Sequence, residues 1–253
     1  MKNKKPGILI GLPVHSGVNF NTTSALLKLQ EYCIKNDIPF DVWYVQNSLI
    51  TTNRNNIVAH FLESDEKFTH LFFVDSDVHF FPSLVQRMLD YDKDVVCGVY
   101  PKKNINWHQL YDALLEEKIE NVRDLEQAAY VYPFKGDPKS QIQKDGLLEI
   151  THAATGCLLL KRSVFHKMIK KYPKLKINEG IPPGDRKTKY NYNFFDCYFD
   201  TKEGKYYGED FGFSRLWTKT GGKIWAVANA NISHIGDWTF QGNLYDYLKL
   251  NNK

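Results

Sequence analysis

Several features are scarce in this 253-residue sequence. Four cysteines, Cys33, Cys97, Cys157 and Cys197, stand far apart without a C-x-x-C pair, which argues against a disulfide framework or a zinc ribbon and suits a reducing compartment. No run reaches the ~18 apolar residues that a membrane span requires. Charge of one sign is not in excess: 33 basic against 29 acidic side chains leave +4, too little to mark a nucleic-acid binder. No glycine-rich G-x-G-x-R turn follows the first apolar run, where Gly11-Leu12-Pro13 stands instead. Repeats and low-complexity tracts are missing as well. A soluble, unexported, cytoplasmic chain is expected. The 43% hydrophobic and 14% aromatic content is ample for one α/β core.

What is present alternates. Gly7 to Leu12 is an apolar run closed by Pro13 and reads as a buried strand; Thr22 to Asn36 has helical spacing, with Asn21 or Thr22 as cap. Strand Phe40 to Val45, helix Asn53 to Ser64, strand Thr69 to Val74, a helix with Pro82 at its first position and strand Asp94 to Tyr100 follow. Strands alternating with helices imply a parallel, doubly wound sheet. The stretch 102–146 reads as an elaboration, with helical patterns at Trp107 to Lys118 and Asp124 to Ala129. Leu147 to Arg162 is strand-like around GCLLLK, and a helix spans Ser163 to Lys171. Asn178 to Tyr192, with Pro182, Pro183 and Gly184, is a candidate mobile loop, and the last units are a helix from Asp210 to Thr218 and a strand at Lys223 to Ala228. One domain is expected, with residues 1–100 and 147–253 as its two halves on either side of the elaboration.

The strongest chemical signal is Phe72-Phe73-Val74-Asp75-Ser76-Asp77, two carboxylates at the carboxyl end of an apolar strand, the edge where open α/β sheets bind ligands. Two anions there call for a partner, and hard oxygen ligands suit Mg²⁺ or Mn²⁺; a simple cap on the following turn is the ordinary alternative. Tyr207-Gly208-Glu209-Asp210 places an acidic pair at a helix start, as a plain dipole-complementing cap would. His234, in Ile232-Ser233-His234-Ile235-Gly236, is either a metal ligand or a packing histidine. Arg54 and Asn55 open an amphipathic helix, where the guanidinium and backbone N–H groups could meet a diphosphate, or simply face water.

Taken in order, these pieces resemble GT-A glycosyltransferases, most nearly the compact enzymes of phages, large DNA viruses and bacteria: a first strand ending in Pro13, an R-N helix start at Arg54 and Asn55, D-x-D at Asp75 to Asp77, G-x-Y-P at Gly98 to Pro101, T-G-x-x-L at Thr155 to Leu159, E-D at Glu209 and Asp210, and H-x-G at His234 to Gly236. The resemblance implies a single GT-A domain, Rossmann-like, with a mainly parallel sheet flanked by helices. It also implies a Mn²⁺ or Mg²⁺ ion held by Asp77 and His234 with Asp75, which would contact ribose or metal-bound water. Pro13, His15, Ser16, Arg54, Asn55, Asp75, Ser76 and Gly156 would bind a UDP- or GDP-linked sugar, and Asp210 would be the base of an inverting transfer to a glycan or other hydroxyl acceptor, with Glu209 beside it.

Other readings share parts of this pattern. Asp75, Asp77, Glu209 and Asp210 could hold two metals in a nuclease or phosphatase. A sugar nucleotidyltransferase shares the fold, and a carbohydrate-binding protein could keep the fold without turnover. Of the tryptophans, Trp107 and Trp238 are the ones expected to stack on sugar, and Trp43, Trp217 and Trp225 are expected in the core. Lys161 to Lys176 carries seven basic and no acidic residues, a solvated helix face or a patch for peripheral contact with a membrane surface or anionic acceptor.

Overall fold

A computed structural model describes residues 5–136, 141–179 and 188–251. Pro182, Pro183 and Gly184, and part of the polar stretch expected before Gly146, lie outside the described residues.

The first strand, β1 (Ile8–Val14), is buried along its whole length, as its unbroken apolar run requires. Helix α1 (Phe20–Lys35) follows, then β2 (Phe40–Gln46), α2 (Ile50–Glu63), β3 (His70–Val74), the two-residue β4 (Val78–His79), α3 (Pro82–Asp90) and β5 (Val95–Gly98). The elaboration contributes α4 (Trp107–Leu115), α5 (Val122–Ala129) and β6 (Phe134–Gly136). Next come β7 (Leu147–Ala153), β8 (Cys157–Lys161), α6 (Arg162–Lys171), a 3₁₀ turn at Pro173–Leu175, β9 (Tyr198–Asp200), β10 (Lys205–Tyr207), α7 (Glu209–Thr218), β11 (Ile224–Val227), β12 (Asn231–Ile235), β13 (Thr239–Asn243) and α8 (Leu244–Asn251).

Eight strands form one sheet in the order β2-β1-β3-β8-β5-β11-β7-β6. Most of them point one way, but β8 lies antiparallel between β3 and β5, and β7 lies antiparallel between β11 and β6. The expected mainly parallel sheet flanked by helices is therefore present, with β8 and β7 as its antiparallel members. Alternation along the strands divides the core between the two faces. Leu9, Leu71, Phe73, Cys97 and Leu158 pack with α2, α6 and α7, while Ile8, Ile10, Phe72, Val74, Val96 and Leu159 pack with α1 and α3.

Several boundaries move for identifiable reasons. Asn19, not Asn21 or Thr22, caps α1, its side-chain oxygen accepting from Asn21 N at 2.9 Å. Pro13 does not close β1. Pairing with β3 stops at Gly11, and from there only β2 runs alongside, so the missing proline N–H leaves no ladder bond unmade. Helix α2 starts at Ile50, which puts Arg54 in its second turn: Asn53 N already donates to Leu49 O at 3.1 Å, so the backbone N–H groups from Asn53 onward belong to the helix interior. The run Leu147 to Arg162 divides into β7 and β8 around Ala154-Thr155-Gly156, and the chain continues beyond β11 into a three-stranded sheet, β13-β12-β4.

The elaboration packs against the chain's last elements. Arg123 pairs with Asp246 at 2.7 Å, and Gln127 Oε1 accepts from Asn243 N at 3.0 Å and from Tyr132 Oη at 3.1 Å. The basic run is partly neutralised: Lys161 pairs with Asp92, Lys167 with Asp94, and Arg162 donates to the carbonyls of Leu62, Asp65 and Phe68. Among the described residues, no helix is long and apolar enough to cross a membrane.

Candidate functional site

Strand direction explains how distant motifs meet at one sheet edge. Because β8 runs antiparallel to β3, its start lies beside the end of β3, with Val74 opposite Cys157, and Asp75 N donates to Gly156 O at 3.0 Å. Because β12 runs antiparallel to β4, with His234 opposite Val78, Ile235 N donates to Asp77 O at 2.8 Å. His234 therefore sits within a strand and not beyond the last one, and its ring is carried to Asp77. Asn19 N donates to Ser76 O at 2.8 Å, fixing the turn between the two aspartates from a third side.

Asp75 is enclosed. Arg54 Nη2 donates to its Oδ1 at 2.8 Å and Tyr100 Oη to its Oδ2 at 3.3 Å. The same guanidinium donates through Nε to Glu209 Oε1 at 3.3 Å, so one arginine, its side chain 2% exposed, joins the D-x-D turn to the start of α7. Burial works against the charge on Arg54, but Asp75 and Glu209 outweigh it and raise its proton affinity. Phe73 lies under the guanidinium, 5.3 Å from its ring centre, and Nη1 is buried with no hydrogen-bond partner among the described residues. Burial, then the neighbouring Asp75 charge, hold the Tyr100 hydroxyl firmly protonated. Gly156 completes the enclosure: a Cβ there would stand 2.1 Å from Tyr100 Oη and 2.2 Å from Asp75 Oδ2, so only glycine fits.

Asp77 faces a different environment. Its Oδ2 accepts from Lys103 Nζ at 2.5 Å, and its Oδ1 lies 3.5 Å from His234 Nε2; Asp77 and Lys103 are each 34% exposed. Burial works to raise the Asp77 carboxyl, but His234 and Lys103 outweigh it and hold it below the usual carboxylate range. His234 Nδ1 is 2.9 Å from Pro101 O. A carbonyl can only accept, so Nδ1 carries the proton, and in the neutral ring Nε2 turns a lone pair toward Asp77.

The donor set thus fits a divalent ion through Asp77 and His234, with the remaining positions left to ligand oxygens and water, as Mg²⁺ and Mn²⁺ commonly take them. Asp75, expected beside them, accepts from Arg54 through Oδ1 and from Tyr100 through Oδ2, and among the described residues no three His, Cys, Asp or Glu side chains converge on one point.

The acidic pair opens α7 behind Gly208. Glu209 is held by Arg54. Asp210 Oδ1 accepts from Phe211 N at 2.8 Å, and its carboxyl is pushed above the usual aspartate range, first by burial and then by the charge of Glu209. Gly212 presses this helix onto the 193–196 segment, its α-carbon too near Asp196 O to carry a side chain. Asn55 secures the same segment: its Oδ1 accepts from Phe194 N and Phe195 N, both at 3.0 Å, and its Nδ2 donates to Phe195 O at 3.0 Å. Pro13 is buried at the end of β1, and His15 and Ser16 lie exposed in the loop beyond it.

Two residues of this site are new: Tyr100, whose signal was its place in the G-x-Y-P turn, and Lys103, two positions past that turn. Trp107 and Trp238 are exposed, at 67% and 63%. Trp43 is not a core residue; it is 39% exposed and stacks on His60 with ring centres 3.7 Å apart.

No family model matches the sequence, and neither does any curated protein. Among solved structures, the chain is similar to A197 from STIV, with 18% identity and a TM-score of 0.47 over 91% of this chain and 86% of that one. It is similar to GalNAc-T7, solved with UDP, GalNAc and Mn²⁺, with 11% identity and a TM-score of 0.47 over 100% of this chain and 48% of that one. A shorter likeness, 18% identity and a TM-score of 0.25 over 36% of this chain and 51% of that one, is to a glycosyltransferase involved in the glycosylation of the major capsid of PBCV-1.

Proposed function

We propose that this protein is a glycosyltransferase of the GT-A kind, moving a sugar from a nucleotide-sugar to a hydroxyl acceptor with a divalent cation at Asp77 and His234. The observation that carries this reading is the joining of the D-x-D turn and the E-D helix start, 134 positions apart between Asp75 and Glu209, through the single guanidinium of Arg54.

The geometry supports a division of labour. Asp77 and His234 would hold the cation, which when bound supplies positive charge to the leaving diphosphate. The loop at His15 and Ser16 and the turn at Ser76 border the same sheet edge and are available to the nucleoside. Arg54 and Tyr100 hold Asp75, and Arg54 holds Glu209, so that the two acidic elements keep a fixed relation. Asp210 is the base: burial and the neighbouring Glu209 charge raise its proton affinity, which makes it a better acceptor than a free aspartate. As the acceptor oxygen bonds to the anomeric carbon, its proton passes to an Asp210 oxygen, and the bond from that carbon to the diphosphate oxygen breaks with its electron pair on the phosphate. Attack opposite the leaving group inverts the anomeric centre.

A two-metal nuclease or phosphatase would need Asp75, Asp77, Glu209 and Asp210 free to share ions, whereas Arg54 engages two of the four. The test of the proposal is a screen of UDP- and GDP-sugars for Mn²⁺-dependent slow hydrolysis, run beside nucleotide release from DNA. Sugar release supports transfer chemistry; nucleotide release from DNA without sugar release overturns it.

A further inference from the structure

Lys103 brings a fixed positive charge to the one carboxylate that the proposed cation needs. Its ammonium lies 2.5 Å from Asp77 Oδ2, on the opposite oxygen from His234, and its stem runs past Gly236, where a Cβ would come within 3.1 Å of Lys103 Cδ. The contrast with Arg54 is informative. Arg54 is buried with two carboxylates and cannot leave without stranding them, whereas the Lys103–Asp77 pair is one-third exposed at each end, and pairs of that kind contribute little stability. A contact so easily exchanged, beside a site for an anionic ligand, can change partner. Lysine is suited to this, being a point charge on a flexible stem that needs no fork-like partner.

Building on the glycosyltransferase reading, we propose that Lys103 is a phosphate-binding residue that exchanges partners: it neutralises Asp77 in the free protein and moves to the diphosphate of an arriving nucleotide, releasing Asp77 Oδ2 to a divalent cation. Metal and nucleotide binding are thereby coupled through one side chain. Mn²⁺ alone must displace the ammonium and binds weakly; with a nucleoside diphosphate present, the ammonium has another anion to go to.

The test uses the full chain and the variants Lys103→Met and Lys103→Arg, with calorimetry of Mn²⁺ alone, of UDP and GDP in EDTA, and of each nucleotide with Mn²⁺. Lys103→Met is expected to bind Mn²⁺ alone about tenfold more tightly and the metal-free nucleotide about tenfold more weakly, a change of one charge-assisted contact in each direction. Lys103→Arg keeps its charge and is expected to retain nucleotide binding. The opposite signs of the two shifts separate an exchanging residue from a merely structural one, whose loss would weaken both ligands or neither; an unchanged pair of affinities in a folded Lys103→Met, or a loss of both, overturns the inference. If the unaltered protein binds neither UDP nor GDP under any condition, the glycosyltransferase reading itself has failed. If it binds them and Lys103→Met binds them equally well, that reading stands and the role of Lys103 does not.

Discussion

The two aspartates of the D-x-D turn are two residues apart and serve unlike surroundings. Asp75 is met by Arg54, Tyr100 and Gly156, and belongs to the architecture that fixes β3, β8 and α7 against one another. Asp77, little more exposed than Asp75 at 34% against 27%, is met instead by Lys103 and His234. The two carboxylates of the motif thus differ in their partners, and the difference lies in what the sheet topology brings to each.

The largest effect should come from removing the Arg54 guanidinium. Arg54→Met leaves Asp75 and Glu209 without their shared cation and is expected to lower stability by about 3–5 kcal/mol, measured by urea unfolding. A loss below ~1 kcal/mol would mean that the two carboxylates are not held through Arg54, and the contrast between the two aspartates would fall.

Asp210→Asn sharpens the contrast from the catalytic side. Transfer should fall by on the order of 10² or more while donor affinity stays near normal, because a base acts in the transition state. The folded protein raises the proton affinity of Asp210, so the stability associated with its neutral form is present at low pH and is lost as pH rises through that raised value. Asparagine removes that penalty, and the melting temperature at neutral pH should hold or rise. For the same reason, the rate of the unaltered enzyme should drop on acidification at a pH above the ordinary aspartate range, and this limb should be missing from the residual activity of the variant. A limb unchanged in Asp210→Asn would move the role to Glu209.

Gly156→Ala is expected to be milder, about 1–3 kcal/mol, since Tyr100 and Asp75 must both shift to admit a methyl group. Melting measurements alongside an alanine at the open Gly204 turn, where φ is +63°, would show whether the penalty is a clash or only backbone preference.

Much of the frame is readable from the chain. Unbroken apolar runs such as Ile8 to Leu12, Leu71 to Val74 and Val95 to Cys97 can only be buried strands, and Asp75 marks the point where β3 leaves the core. Strand direction is not readable in this way, because an antiparallel β8 buried on both faces has the same Leu-rich run as a parallel one; yet that direction brings Gly156 to Asp75. The strand that carries His234 is hard to read for a related reason: with Ile232 and Ser233 both buried, the segment lacks the clean alternation that marks a strand. The burial of Arg54 has no local signal, because it is set by carboxylates 21 and 155 positions away, whereas an arginine near a helix start reads equally as facing a diphosphate or water. Lys103 had no signal of its own, being one of many lysines until Asp77 is seen beside it.

The account turns most directly on Asp77. Calorimetry of UDP and GDP with Mn²⁺, on the unaltered protein and on Asp77→Ala, should show metal-dependent binding in the first and its loss in the second, with the melting temperature nearly unchanged because a partly exposed carboxylate contributes little packing. Metal-dependent affinity that survives intact in a folded Asp77→Ala would contradict the assignment of this aspartate, and with it the proposed site.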